Sequence, residues 1–291
     1  MGVPYAEVIG DPIAQSKSPT IHKFWLAKLG LAGDYGRTAV TCDSLHLYLA
    51  SRRSDSDWRG CSVTMPLKQA VIPFVGRLEP GARRTWAVNA VTLDADGARR
   101  GHNTDSLAVE QCLRRAGMAA YPNHVATYVQ IVGTGGAARA AADGAIRAGY
   151  GNLDIEFFGR DVAMARALAG HFSGQPDFGQ DLGGLGGTET AANAGKEQRY
   201  SNVLINASPL GMRGYPALGV DIGSYRDDTI VVDLVYDPVE TPLLRSARDR
   251  GLKTIDGLEI LTAQAEFAFE LFFGAPAPRQ HDPELREILT R

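Results

Sequence analysis

Cysteine is scarce in this chain of 291 residues: Cys42, Cys61 and Cys112 are all there is. None forms a C-x-x-C pair and no histidines sit at ligand intervals around them, so neither a disulfide framework nor any metal site is expected. Apolar runs are short as well. None reaches the ~18 residues that cross a bilayer, and the opening MGVPYAEVIG lacks a basic stretch followed by an apolar one, so no membrane span and no export signal are read. A surplus of one charge is also missing: 30 lysines and arginines face 33 aspartates and glutamates, a formal charge of −3. Without a basic cluster a nucleic-acid partner is not expected. The remaining composition, 44% hydrophobic and 22% charged, is that of an ordinary globular protein. The expectation is a cytoplasmic protein, with monomer and homodimer both open.

The length suits two domains, because single cores stop growing near ~250 to 300 residues. Strand and helix patterns alternate along the first hundred residues. Tyr5–Gly10 reads as a strand, and Ser18-Pro19 starts a helix through Leu29 that Gly30 closes. A strand Tyr35–Thr41, a helix from Ser44 and a short buried strand Cys61–Met65 ending at Pro66 follow. Trp86–Leu93 and Arg100–Asn103 read as a hairpin around Asp94–Gly97.

A second series begins with a helix Ser106–Ala116 closed by Gly117. Strands are expected at Tyr128–Val132, Leu153–Phe158, Val203–Ala207, Thr229–Val235 and Leu252–Ile255, and helices at Ala137–Ala148, Val162–Ala169 and from Thr241. Such alternation implies an α/β architecture with a parallel, doubly wound sheet of the Rossmann type. Gln175–Gly195 is poor in apolar residues and glycine-rich, so a mobile surface loop is expected there. Leu258–Phe273 is apolar on more than one face, which suggests a helix clasped between elements and returning to the first lobe.

The run Gly133-Thr134-Gly135-Gly136-Ala137-Ala138 follows a strand and opens an alanine-rich helix. It fits the G-x-G-x-x-A turn, in which missing β-carbons let backbone amides and a helix dipole meet a pyrophosphate. At the end of the next strand a carboxylate selects NAD through a ribose hydroxyl, whereas an arginine neutralises the 2′-phosphate of NADP. Gly159-Arg160-Asp161 offers both. Arg160 either clamps a phosphate or stacks on the adenine, and Asp161 either takes the ribose or caps the next helix. The balance leans slightly to NADP over NAD.

Hydride transfer at an alcohol needs a group to move the hydroxyl proton. A lysine with a carboxylate neighbour does this and also stabilises charge on the oxygen. Val63–Lys68 and His102–Asp105 supply such groups, Lys68 and Asp105. By spacing alone, a lone lysine after a proline is usually a solvated charge, and an aspartate opening a helix usually a cap.

Gly10–His22, Gly60–Lys68, Ala87–Asn89, Gly101–Asp105, Gly133–Ala140, Asn206–Met212, Asp233–Tyr236 through Pro242, and Asp256–Leu258 through Ala265 together resemble the ordered motifs of the shikimate dehydrogenase family. The resemblance implies two lobes: residues 1–105 plus 258–291 as an α/β substrate-binding catalytic domain, and 106–257 as a dinucleotide-binding domain. It implies Lys68 and Asp105 as the catalytic pair, Ser16 and Ser18 on the substrate carboxylate, and Thr64, Asn89, Tyr236 and Gln264 holding the carboxylate or ring hydroxyls. It further implies Gly133, Thr134, Gly135, Gly136 and Ala137 at the pyrophosphate, Arg160 at the 2′-phosphate, and Leu234 and Gly257 near the nicotinamide. Duller readings stand beside these: Ser18 as a helix cap, Tyr236 as core, Gln264 as a polar spot on a buried helix.

The pattern departs from the family at Ser62 for the usual asparagine, Ala90 for threonine, Ser106 and Ala108 for two glycines, Gly159 for asparagine and Asp161 for a hydroxyl residue. The implied activity is NADPH-linked reduction of 3-dehydroshikimate to shikimate in aromatic amino acid biosynthesis. The alternatives are an NAD-dependent quinate or shikimate dehydrogenase, a branch acting on a shikimate analogue, and a nucleotide-binding module without turnover.

Overall fold

A computed structural model describes residues 2–118, 127–149, 153–186 and 201–291. The chain divides into two compact units: residues through Thr104 together with Thr262–Arg291, and Asp105–Leu261.

The first unit opens with β1 (Tyr5–Gly10), α1 (Ser18–Leu29), β2 (Asp34–Ala39), α2 (Leu45–Ser51) and β3 (Trp58–Val63). It continues with α3 (Leu67–Ala70), β4 (Arg77–Leu78), α4 (Pro80–Thr85), β5 (Ala90–Leu93) and β6 (Arg99–His102). The sheet order is β2-β1-β3-β5-β6-β4. β1 runs parallel to both neighbours, and β5 is antiparallel to β3 and β6. Alternation along β1 builds two cores, because successive side chains point to opposite faces. Ala6 and Val8 meet Tyr35, Ala90, Ala268 and Phe272 on one side, while Ile9 joins Leu45, Leu49, Cys61 and Leu67 on the other.

α1 begins at Ser18 with Pro19 in its first turn and ends at Gly30 in the left-handed region, φ 61°, as the turn chemistry predicts. β3 differs from expectation: it starts earlier, at Trp58, and stops at Val63 rather than Met65. Gly60 masked the start. It sits at φ 145°, where a β-carbon would lie 2.3 Å from Val91 O, so a close backbone approach replaces a side chain inside the strand. At the far end the Met65 carbonyl turns to accept from Asp11 N at 3.1 Å.

The second unit holds most of α5 (Thr104–Arg115), then β7 (Thr127–Val132), α6 (Gly136–Ala148), β8 (Leu153–Phe158), α7 (Val162–Ser173) and β9 (Gly179–Gln180). After these come β10 (Ser201–Asn206), β11 (Ile230–Asp233), α8 (Pro242–Asp249) and β12 (Lys253–Ile255). Every pairing is parallel and the order is β12-β11-β10-β7-β8-β9. Renumbered within the unit and read from the β9 edge this is 3-2-1-4-5-6, the doubly wound dinucleotide order, whose direction reverses beside β7.

The expected loop at Gln175–Gly195 is corrected in part. Residues 176–186 carry two 3-10 turns and β9, with Phe178 buried against Tyr128. Buried polar groups need partners, and here Gln180 Nε2 donates to Glu156 at 3.0 Å while Gln130 Nε2 donates to Gly186 O at 2.8 Å. The rest of the expected loop, 187–195, lies outside the described residues.

The chain re-enters the first unit along α9 (Gly257–Phe273) and ends with α10 (Asp282–Thr290). Phe269 and Phe272 of α9 are buried with His22, Trp25 and Tyr35, which accounts for the helix being apolar on more than one face.

Candidate active site

Of the residues expected at substrate, Ser16, Ser18, Thr64, Asn89 and Gln264 lie in the first unit and Tyr236 in the second. Ser16 lies in the turn before α1, where Ser18 N donates to its Oγ at 3.4 Å. Ser18 does not cap that helix; Lys17 holds the cap position without a side-chain bond. The β1 and β3 ends are pressed together: a β-carbon on Gly10 would lie 2.5 Å from Thr64 Cγ2 and 2.7 Å from Met65 O. Thr64 O then accepts from Leu67 N at 2.8 Å, starting the short α3 that carries Lys68. Lys68 is half-buried, and its carbonyl accepts from Val88 N at 2.8 Å. Lys68 is thereby tied to the segment leading to Asn89.

Asn89, 4% exposed, does more than the motif reading assigned. Its Nδ2 donates to Thr104 Oγ1 at 2.8 Å and its Oδ1 accepts from Thr104 N at 2.7 Å. Thr104 Oγ1 also donates to Gln264 Oε1 at 3.5 Å. Asn89 and Gln264 therefore converge on the residue that immediately precedes Asp105. Asn103 adds a second anchor, donating to Thr85 Oγ1 at 2.9 Å and to Ala87 O at 3.0 Å. Asp105 itself is half-buried in the first turn of α5. Neither Asn103 nor Thr104 had been singled out, although both lie in the motif His102–Asp105. Lys68 belongs to the first unit and Asp105 opens the second.

The glycine turn separates two reasons for glycine. Gly133 is at φ 122°, and a β-carbon there would lie 2.7 Å from Ala207 O; folding alone demands glycine at that position. Gly135 has an ordinary φ of −86°, and a β-carbon on it would meet no atom of the other described residues within 4 Å. Packing does not ask for glycine at Gly135, so the missing side chain fits a backbone that takes a group from outside the chain. Ala138 is fully buried at the third small position, where helix and strand pack closely. This arrangement fits a dinucleotide: Gly133 to Ala137 would hold its pyrophosphate at the α6 N-terminus.

Gly159 ends β8 so near the turn that a β-carbon would lie 2.7 Å from Thr134 Cγ2. Arg160 is exposed, with no hydrogen-bonding or ionic partner among the described residues. Asp161 accepts from Met164 N at 3.0 Å and so caps α7.

At the ends of β10 and β11 lies a network that the motif reading quoted but gave no role. Asn206 Nδ2 donates to Asp233 Oδ1 at 2.9 Å and to Leu210 O at 2.8 Å. Thr241 Oγ1 donates to Asp233 Oδ2 at 2.6 Å, and Val235 N to Oδ1 at 3.0 Å. Burial raises Asp233 to about 6, against the lowering effect of these donors. The network fixes the loop carrying Leu234 and Tyr236. Gly257 lies against that loop, since a β-carbon would be 2.3 Å from Val235 O. Burial raises the half-buried Tyr236 hydroxyl above its ordinary value.

Residues 8–91 match the family model described as the shikimate dehydrogenase substrate binding domain. A shikimate dehydrogenase (NADP(+)) of Sphingopyxis alaskensis is 45% identical over 99% of this chain and 97% of its own. The Thermus thermophilus shikimate 5-dehydrogenase, solved in complex with NADP(H) and shikimate, superposes with a TM-score of 0.80 at 30% identity, covering 98% of this chain and 99% of the other. Quinate dehydrogenase from Corynebacterium glutamicum, in complex with NAD, superposes with a TM-score of 0.81 at 28% identity over 98% and 99% of the two chains.

Proposed function

Because this chain belongs to the shikimate dehydrogenase family, we propose that it reversibly reduces 3-dehydroshikimate to shikimate with NADPH in aromatic amino acid biosynthesis. Family identity sustained over 99% of the chain carries this reading, and the retained Lys68 and Asp105 give it chemistry. The first unit then serves as the substrate-binding catalytic domain and the second as the dinucleotide-binding domain. A cytoplasmic setting fits such an enzyme.

Bound NADPH supplies the hydride. The Lys68 ammonium donates a proton to the carbonyl oxygen as negative charge grows there, and takes it back in the reverse direction. The Asp105 carboxylate is the second proton-transfer group of the proposed catalytic pair. Its own placement is supported by the two hydrogen bonds between Asn89 and Thr104. Ser16 and Ser18 bind the substrate carboxylate, and Thr64, Asn89, Tyr236 and Gln264 suit ring hydroxyls because hydroxyl and amide groups both donate and accept. Gly133, Thr134, Gly135, Gly136 and Ala137 hold the pyrophosphate, and Leu234 and Gly257 border the nicotinamide. Arg160 takes the 2′-phosphate. Asp161 caps α7 and would face the ribose only from that position.

The test is steady-state kinetics with shikimate and quinate against NADP+ and NAD+. Shikimate with NADP+ is expected to lead by more than about tenfold in kcat/KM, or 1.4 kcal/mol. A lead for quinate with NAD+ would identify the quinate dehydrogenase reading instead. Lys68→Ala is expected to lower turnover by about 10² to 10⁴ while shikimate still binds. Turnover unchanged in that variant would remove the catalytic assignment, and wild-type protein that binds nucleotide without turnover would leave a binding module.

A further inference from the structure

Helices α5 and α6 of the second unit are joined by a ladder of polar contacts that the proposed reaction does not use. Ser106, fully buried, donates its hydroxyl to Oδ2 of the fully buried Asp143. Further along, Glu110 accepts from Arg147 Nε at 2.9 Å and from Arg114 Nε at 3.1 Å, and Arg114 donates to the Arg147 carbonyl. Between these rungs the backbones come together: a β-carbon on Gly144 would lie 2.6 Å from Val109 Cβ and 2.7 Å from Ser106 O. A glycine inside a helix costs ~1 kcal/mol relative to alanine, so this approach is a built feature of the pair. Ser106, Glu110 and Arg114 share one face of α5 at four-residue spacing, as Asp143 and Arg147 do on α6. Both series ascend together, so the two helices run the same way with their N-termini at one end.

Those N-termini carry the chemistry. α6 starts at Gly136 within the glycine turn, and α5 carries Asp105 one residue ahead of Ser106. A buried carboxylate must be hydrogen-bonded, and the glycine usual in this family at the Ser106 position has no hydroxyl to offer Asp143. We propose that Ser106 and Asp143 are positioning residues, whose hydrogen bond sets the Asp105 carboxylate relative to the dinucleotide turn so that proton-transfer group and cofactor site hold one register. This rests on the function proposed above. A displacement of about 1 Å is enough to slow a positioned reaction by up to ~10².

The experiment compares wild-type enzyme with Ser106→Ala, Asp143→Ala, their double variant and Asp143→Asn. It measures the single-turnover rate of NADPH oxidation by 3-dehydroshikimate, KM for NADP+ and Tm, at a temperature well below every Tm. Each alanine variant is expected to lower the single-turnover rate about tenfold, equivalent to 1.4 kcal/mol, with KM for NADP+ nearly unchanged. The double variant falls no further than either single, because the two residues act as one coupled pair. Asp143→Asn, which keeps an acceptor oxygen, restores most of the rate. Variants that melt earlier but react at the wild-type rate, or singles whose losses multiply in the double, overturn the proposal. Should Asp143→Ala fail to fold, Ser106→Ala and Asp143→Asn decide it alone, by a rate loss in the first and its recovery in the second. Wild-type enzyme inert toward 3-dehydroshikimate sinks the function and this inference together, whereas an active wild-type with unaffected variants sinks this inference only.

Discussion

His22 closes the opening motif and belongs to the core. It is fully buried, stacked on Tyr35 with ring centroids 3.9 Å apart, and packed against Trp25 and Phe269. Neither ring nitrogen has a hydrogen-bond partner among the described residues, and burial lowers its pKa from 6.5 to about 3. Between those values the folded chain binds fewer protons at His22 than the unfolded one. Its stability contribution is therefore complete above pH 6.5 and is lost as the pH falls, by up to ~1.4 kcal/mol per unit. Asp233 acts oppositely. Burial raises it from 3.8 to about 6, so its contribution is full below pH 3.8 and lost as the pH rises through 6. His22→Phe keeps an aromatic ring and removes only the first effect. The stability difference between wild type and His22→Phe, followed by denaturant titration, should be flat above pH 6.5 and drift against wild type below it. A difference that stays constant down to pH 5 would show that His22 is not held neutral by its surroundings.

Among the elements, the glycine turn makes the sharpest prediction because two of its glycines answer to different constraints. Gly133→Ala puts a β-carbon 2.7 Å from Ala207 O at φ 122°, and should cost ~1 to 3 kcal/mol of stability. Gly135→Ala meets no atom of the other described residues within 4 Å. It should leave Tm almost unchanged while raising KM for NADP+ about tenfold, because only an approaching phosphate feels the methyl group. Equal losses of stability in both variants would refute the distinction. Elements of this kind were legible because strong local signals coincide in them: a strand, a glycine turn and an alanine-rich helix in immediate succession. β9 was not, since two residues beside glycines carry no periodicity and its place depends on Gln180 reaching Glu156. α4 and α10 were missed as well; both are short, and Arg83 and Arg84 in α4 blur an apolar face of two buried residues, Ala82 and Thr85. The α5–α6 ladder was invisible for another reason, because Ser106 and Asp143 are 37 residues apart and no local pattern links them.

Across the whole molecule, motif order made the family legible and named the candidate site residues, whereas the hydrogen bonds that hold those residues needed coordinates. Asn89 is the example: its motif suggests substrate binding, and only the fold reveals its paired bonds to Thr104. The charge balance adds a constraint of its own. With a net charge of −3 the chain has no general positive field to draw in a nucleotide, so selection between NADP and NAD falls to local groups. Arg160 is the exposed cation at the end of β8, and it has no carboxylate partner among the described residues to neutralise it. A ligand that binds only the folded state stabilises the entire protein, by ~2.7 kcal/mol when present at 100 times its Kd. Thermal melts at equal NADP+ and NAD+ concentrations should therefore give the larger rise in Tm with NADP+. Arg160→Gln should shrink the NADP+ rise toward the NAD+ value while leaving the NAD+ rise nearly as it was, since only the 2′-phosphate loses its counter-charge. If instead the substitution weakens both cofactors alike, Arg160 stacks on the adenine they share, and the preference for NADP must come from another group.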